Sequence, residues 1–176
     1  MGLTLPDRLA YILSRKSVRH YTGEQVAESD LDQILRAAMA APAAVHQVPW
    51  QFLVIRSQTT LRQLEDGLPF AKMLAKAGTA IVVCVNPKQA AMGKEEFAIL
   101  DGACASENIL LAAEALGLGA VWTAVYPNTE LMQFVGTLLG IPGAFIPLNV
   151  IAVGHPTGED HSSDKYNQDL IHRDRW

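Results

Sequence analysis

The segment Glu95–Leu116, EEFAILDGACASENILLAAEAL, constrains the fold more than any other part of this chain. It strings strong helix formers over about six turns, and Gly117-Leu118-Gly119 supplies the stop. From Ala103 to Leu116 it is apolar nearly all round. A helix of that kind cannot lie on a wetted surface, so it must be covered by the rest of the domain or by a partner subunit.

The remaining elements arrange themselves around it. Segment 4–14 reads as a helix: Thr4 with Asp7 forms a capping box, Pro6 suits the first turn, and Leu9, Ile12 and Leu13 share a face. Segment 30–41 reads as a second, with Ser29 as cap, Asp32 closing the box, Leu31, Ile34, Leu35 and Ala38 at helical spacing, and Pro42 as terminator. Strands are expected over 50–56, 79–86, 120–125 and 147–154, each rich in β-branched or aromatic residues. Short helices are expected over 59–68 and 69–78, and a longer one after Asn128 that Gly140-Ile141-Pro142 ends. Four strands separated by helices imply α+β or a mixed α/β sheet. No glycine fingerprint follows a strand, so neither a GxGxxG dinucleotide turn nor a P-loop is present.

Composition narrows the function classes. With 176 residues a single domain with a substantial core is expected. A net charge of −4 argues against a nucleic-acid binder. No run approaches the roughly 18 apolar residues of a membrane span, and the start carries no cationic region before its apolar part, so no signal peptide is expected. Pro6 also spoils Gly2 as a myristoylation site. Cys84 and Cys104 stand far apart in apolar surroundings and are expected as buried, reduced thiols in a cytoplasmic protein.

Against that acidic background the stretch SRKSVRHY, residues 14–21, concentrates Arg15, Lys16 and Arg19 around Ser17. A solvated turn would account for such a cluster; so would a seat for a small anion. Arg15 offers a planar fork that matches a phosphate, Ser17 a hydroxyl, and Arg19, two residues on, reaches a second part of the same ligand from an extended chain. The loop AAPAAVHQVPW, 40–50, has small residues that let backbone approach a flat ligand, though an ordinary helix-to-strand connection reads the same way. His155 and His161 bracket Glu159 and Asp160 without a four-ligand metal pattern, and the polar loop reads as a turn.

Taken together, these stretches resemble the nitroreductase family of FMN-dependent oxidoreductases. Arg-Lys-Ser-Val-Arg at 15–19, Ala-Pro followed by Pro49-Trp50 and QFLVI, DGACASENILLAAEALGLGAVW, GIPGAFIPLNVIAVGHP and the ending KYNQDLIHRDRW occur in the family's order over nearly the whole chain. The resemblance implies an α+β homodimer, a central mostly antiparallel sheet flanked by helices, with two FMN molecules at the subunit interface. The chain would be one FMN-binding domain over 1–176, its tail 155–176 packing on the partner. Arg15 and Ser17 would grip the FMN phosphate, with Lys16 near the ribityl chain or phosphate and Lys165 as a further contact. Arg19 would stand beside the flavin pyrimidine and tune the reduced state. Pro42, Ala43 and Ala44 would come from the other subunit to lie over the ring, with His46 nearby. Trp122, Thr123, Ala124 and Val125 would cover the opposite face, main-chain groups of Ala124 or Val125 lying near N5.

The loop departs from the family's Pro-Ser-Ser-x-Asn-x-Gln-Pro-Trp: Ala43 and Ala44 replace both serines, His46 the Asn and Val48 the Gln. Fewer side-chain hydrogen bonds to the flavin follow, each worth about 0.5–1.5 kcal/mol. The implied activity is ping-pong reduction of a nitroaromatic, a quinone or a similar electron-poor small-molecule acceptor by NADH or NADPH. A flavin-binding or redox-sensing protein without turnover, and a member acting on its own flavin, remain alternatives. No membrane partner is expected.

Overall fold

A computed structural model describes residues 5–176. The elements run α1 (Leu5–Ser14), α2 (Glu28–Met39), β1 (Trp50–Ile55), α3 (Gln58–Gly67), α4 (Leu74–Ala77), β2 (Thr79–Val85), α5 (Glu95–Ala115), β3 (Gly119–Ala124), α6 (Thr129–Leu139) and β4 (Ile146–Gly154). The strands form one sheet in the order β1-β2-β4-β3, and every pairing is antiparallel. This is the α+β architecture that the family resemblance implies. Thr4, half of the expected capping box on α1, lies outside the described residues.

β2 explains its own composition. All seven of its residues are buried, because helices cover both faces of the sheet. Ala80, Val82 and Cys84 pack toward α3, α4 and α6, while Ile81 and Val83 pack toward α2 and α5. An apolar run without polar alternation is what two covered faces require.

α5 lies close against the sheet. A Cβ on Gly102 would stand 2.5 Å from Val85 Cγ1, so only glycine permits that approach. Ala98, Ala105, Ile109 and Ala113 are fully buried. The opposite stripe is not covered by the chain itself: Leu100 is 61% exposed, and Cys104, Glu107 and Ala115 are exposed too. Cys104 therefore departs from the expected burial, since it falls on the stripe turned away from the sheet; Cys84 alone of the two thiols is buried.

Other departures are local. α2 begins two residues before the expected start, and its cap residue is Ala27, with no side-chain hydrogen bond. Ser29 lies inside the first turn, and Asp32, instead of closing a box, accepts from Arg36 Nε at 2.7 Å. The helix ends at Met39, before Pro42. The helix expected over 69–78 shrinks to α4, because Pro69 and Phe70 form a turn before it. Asn128 does cap α6, accepting from the Glu130 and Leu131 amides.

Candidate functional site

The segment after α1 is laid along the free edge of the sheet. β3 is the outer strand, and Ser17 forms a parallel bridge to Ala120, with Val18 N–H donating to Ala120 O at 3.0 Å. Val18 is fully buried. Gly119 makes room for it: a Cβ there would lie 2.5 Å from Val18 Cγ1. Tyr21 is buried as well and donates its hydroxyl to Val18 O at 2.8 Å. Burial pushes its phenol far above the usual value, so it stays a neutral donor.

Beyond β4 the chain returns to the same place. Thr22 N–H donates to His155 O and Thr157 N–H to His20 O. The Asp160 carboxylate accepts from Arg19 N at 3.0 Å and His20 N at 3.1 Å, and lies 3.1 Å from His20 Nδ1. Burial alone would raise that carboxyl; the two amide hydrogen bonds and the His20 ring outweigh it and hold it below its ordinary value. The loop read as a simple turn is thus the clamp on Arg19. Among the described residues no group of three or more His, Cys, Asp or Glu side chains is gathered as for a metal.

Between these two stretches opens a cleft of about 650 Å³, lined by Arg15, Lys16, Ser17 and Arg19 from one end of the chain and by His161 to Tyr166, including Lys165, from the other. Arg15 Nε lies 3.5 Å from Glu107 of α5. Lys16 Nζ bridges both oxygens of Glu114, at 3.1 and 3.2 Å. Among the described residues Lys165 has no carboxylate partner.

A second cleft, of about 570 Å³, shares Arg19 with the first and runs past His20 to Pro69, Phe70, Lys72 and Lys76. Thr123 Oγ1 donates to Phe70 O at 3.4 Å, so the end of β3 adjoins it. Residues 122–125 divide by orientation. Trp122 packs with the α2–α5 face, Thr123 and Val125 are buried, and Ala124 is exposed. Ala120 turns its carbonyl outward to Val18, so by the two-residue alternation of a strand Ala124 presents its main-chain groups to the same free edge. Val125 N–H is taken by Leu148 O at 3.1 Å.

The loop Pro42–His46 is elsewhere and lines neither cleft. It is held on the first half of α5, where Ala44 N–H donates to Asp101 Oδ1 at 3.2 Å. Val45 and His46 both have positive φ, 48° and 58°, an outlier for a β-branched residue. From Asp101 the helix rises about 9 Å to Glu107, beside Arg15, and about 20 Å to Glu114, beside Lys16. Within one chain, then, the two halves of the expected site stand apart.

Sequence reasoning missed Asp101, Phe70 and Lys72, and read Asp160 only as part of a polar turn. Asp101 sits in an ordinary helix interior, and nothing local marks it. Phe70 and Lys72 were hidden by reading 69–78 as a helix, although Pro69 was the available signal.

Comparison with known proteins follows the same outline. The family model described as "Nitroreductase family" matches residues 12–68 and 62–155. A protein of Archaeoglobus fulgidus named "Putative NADH dehydrogenase/NAD(P)H nitroreductase" is 40% identical over 175 residues, covering 98% of this chain and 100% of the relative. A crystal structure from Parabacteroides distasonis with the same name is 42% identical, covers 96% of this chain and 98% of its own, and superposes with a TM-score of 0.90. An "FMN reductase [NAD(P)H]" of Bacillus subtilis is 24% identical over 178 residues, covering 91% of this chain and 70% of its own.

Proposed function

The chain belongs to the nitroreductase family, and from that premise we propose that it is an NAD(P)H-dependent FMN oxidoreductase that reduces quinones, nitroaromatics or similar electron-poor acceptors. One observation carries the reading: Arg15, Ser17, Arg19 and Lys165, from opposite ends of the chain, line a single cleft.

The residues present fit the cofactor. The Arg15 contact to Glu107 uses Nε and leaves both Nη groups for a phosphate, which a planar fork binds at two points. Ser17 adds a hydroxyl and Lys165 an ammonium to the same space. With Lys16 neutralised by Glu114, the phosphate grip falls on Arg15, Ser17 and Lys165. Arg19 then stands at the passage to the second cleft, beside the ring. The main-chain groups of Ala124 face the same free edge of the sheet as Val18, whereas Val125 N–H is already engaged. The chemistry supplied with FMN in place is two-electron transfer in two halves, reduced nicotinamide giving a hydride and the acceptor taking two electrons with protons from water.

A second copy completes the site in this reading. The loop Pro42-Ala43-Ala44 with His46 comes from the partner, since in its own chain it is held at Asp101 and lines neither cleft. The exposed stripe of α5 gives the partner an apolar face. The whole of 1–176 is one FMN-binding domain whose tail, 155–176, packs on the partner. No described helix is long and apolar enough to cross a membrane; working in the cytoplasm, where reduced nicotinamides are regenerated, belongs to the same reading.

The test is direct. Protein purified without added flavin should be yellow, run as a dimer, and bleach anaerobically with NADH or NADPH, a quinone restoring the colour. Colourless protein that takes up no FMN would refute the reading. Bound flavin that neither nicotinamide bleaches would leave a binding protein without turnover.

A further inference from the structure

The second cleft has a charge of its own. Its lining carries three cations, Arg19, Lys72 and Lys76, against one carboxylate, Glu159, in a chain whose net charge is −4. That carboxylate already accepts from Thr157 Oγ1 at 2.9 Å. Lys72 donates to the Glu65 carbonyl and so keeps its full charge. Among the described residues Lys76 has no ion pair or hydrogen bond, and the end of its side chain, Nζ included, lies beside Gly23. Pro69, Phe70 and Met73 give the same cleft an apolar lining, and Phe70 is 80% exposed. An unpaired positive group beside an open aromatic face is suited to a flat ring that carries a negative substituent. The volume of about 570 Å³ lies within the usual range for a small-molecule site.

We propose that this cleft selects an anionic aromatic acceptor, a quinone or nitroaromatic bearing a carboxylate or similar group, with Lys76 as the residue that reads the charge. The proposal rests on the flavin reading above, because Arg19, shared by the two clefts, is what places such an acceptor beside the ring. Lys72 and Arg19 contribute to the field. Lys76 lines the second cleft and not the phosphate cleft, so changing it leaves the cofactor grip intact.

The same anion preference would arise if the cleft held the 2′-phosphate of NADPH, and the experiment separates the two. 4-Nitrobenzoate and its uncharged analogue 4-nitrobenzamide are titrated calorimetrically into the protein as purified, and into the K76E and K76R variants. The acid should bind at least about threefold tighter than the amide, the scale of one exposed charge pair. K76E should abolish or invert that preference and K76R should keep it, with FMN absorbance equal in all three proteins. In turnover, K76E should raise KM for the acid and leave KM for the amide, NADH and NADPH unchanged. Equal binding of acid and amide, or a preference that survives K76E, overturns the proposal. A rise in KM confined to NADPH also overturns it and assigns the cations to the reductant. The flavin reading is judged separately, by FMN content and by turnover of the uncharged amide.

Discussion

Arg19 borders both clefts, and its place is set by the residue that holds its backbone: Asp160 accepts from the Arg19 and His20 amides at 3.0 and 3.1 Å. The two residues therefore make separable predictions. In the proposed reading Arg19→Ala removes a cation beside the ring and should lower the flavin's reduction potential while FMN stays bound, because positive charge favours the electron-rich reduced state; redox titration against a reference dye reads this, and an unchanged potential removes the role. Asp160→Ala deletes the clamp and should cost about 1–3 kcal/mol of stability, measured by urea unfolding. Its carboxyl is held below the ordinary value in the folded chain. The stabilisation is therefore complete above about pH 4 and is lost as the pH falls through the lowered value. The difference between wild type and D160A should shrink accordingly in acid. Asp160 was not legible in sequence, since a carboxylate in a polar loop looks the same whether or not amides converge on it. Arg15 and Ser17 were legible as a candidate anion seat, a fork and a hydroxyl two residues apart, and it took the family resemblance to set that reading above a solvated turn.

At the scale of elements, the free edge of β3 decides the site. Ser17 and Val18 lie on it, and Gly119 permits the contact, a Cβ there standing 2.5 Å from the short, branched side chain of Val18. Gly119→Ala should therefore cost about 1–3 kcal/mol by overpacking and weaken FMN binding as the 15–19 stretch shifts. Flavin fluorescence titration together with urea unfolding measures both, and unaltered affinity would detach this edge from the cofactor. The long apolar helix and the four strands were readable from periodicity and composition. The failures were at element ends: α2 starts without a capping side chain, and α4 is a single turn, because α2 and α4 draw their support from buried Leu31, Ile34 and Leu74 rather than from their own termini.

For the whole molecule, the proposed dimer uses the exposed stripe on α5 and the Pro42–His46 loop, which lines neither cleft of its own chain: a second copy is laid along α5. Leu100 is 61% exposed in the chain, so Leu100→Glu should leave the fold intact, convert the dimer to monomers in sedimentation velocity and reduce bound FMN. Cys104 shares that stripe and is exposed in the single chain. Iodoacetamide should label one thiol per chain in L100E and none in the wild-type dimer. Burial pushes the Cys84 thiol up to about 11, so it stays unreactive at neutral pH in both. A fully dimeric L100E with its flavin retained would place the interface elsewhere.

Taken alone, the order of residues narrowed the class to α+β or a mixed α/β sheet and determined the long central helix and the cationic stretch around Ser17, because hydrophobic period and side-chain chemistry are local properties of a chain. Only the tertiary structure decided that Lys165 joins Arg15 in one cleft, that Asp160 clamps Arg19, that Phe70, Lys72 and Lys76 meet on a second cleft, and that Pro42–His46 stands apart from both. These are contacts between stretches far apart in the chain, and no local pattern records them. Packing the helices and the returning tail against the sheet edge creates them.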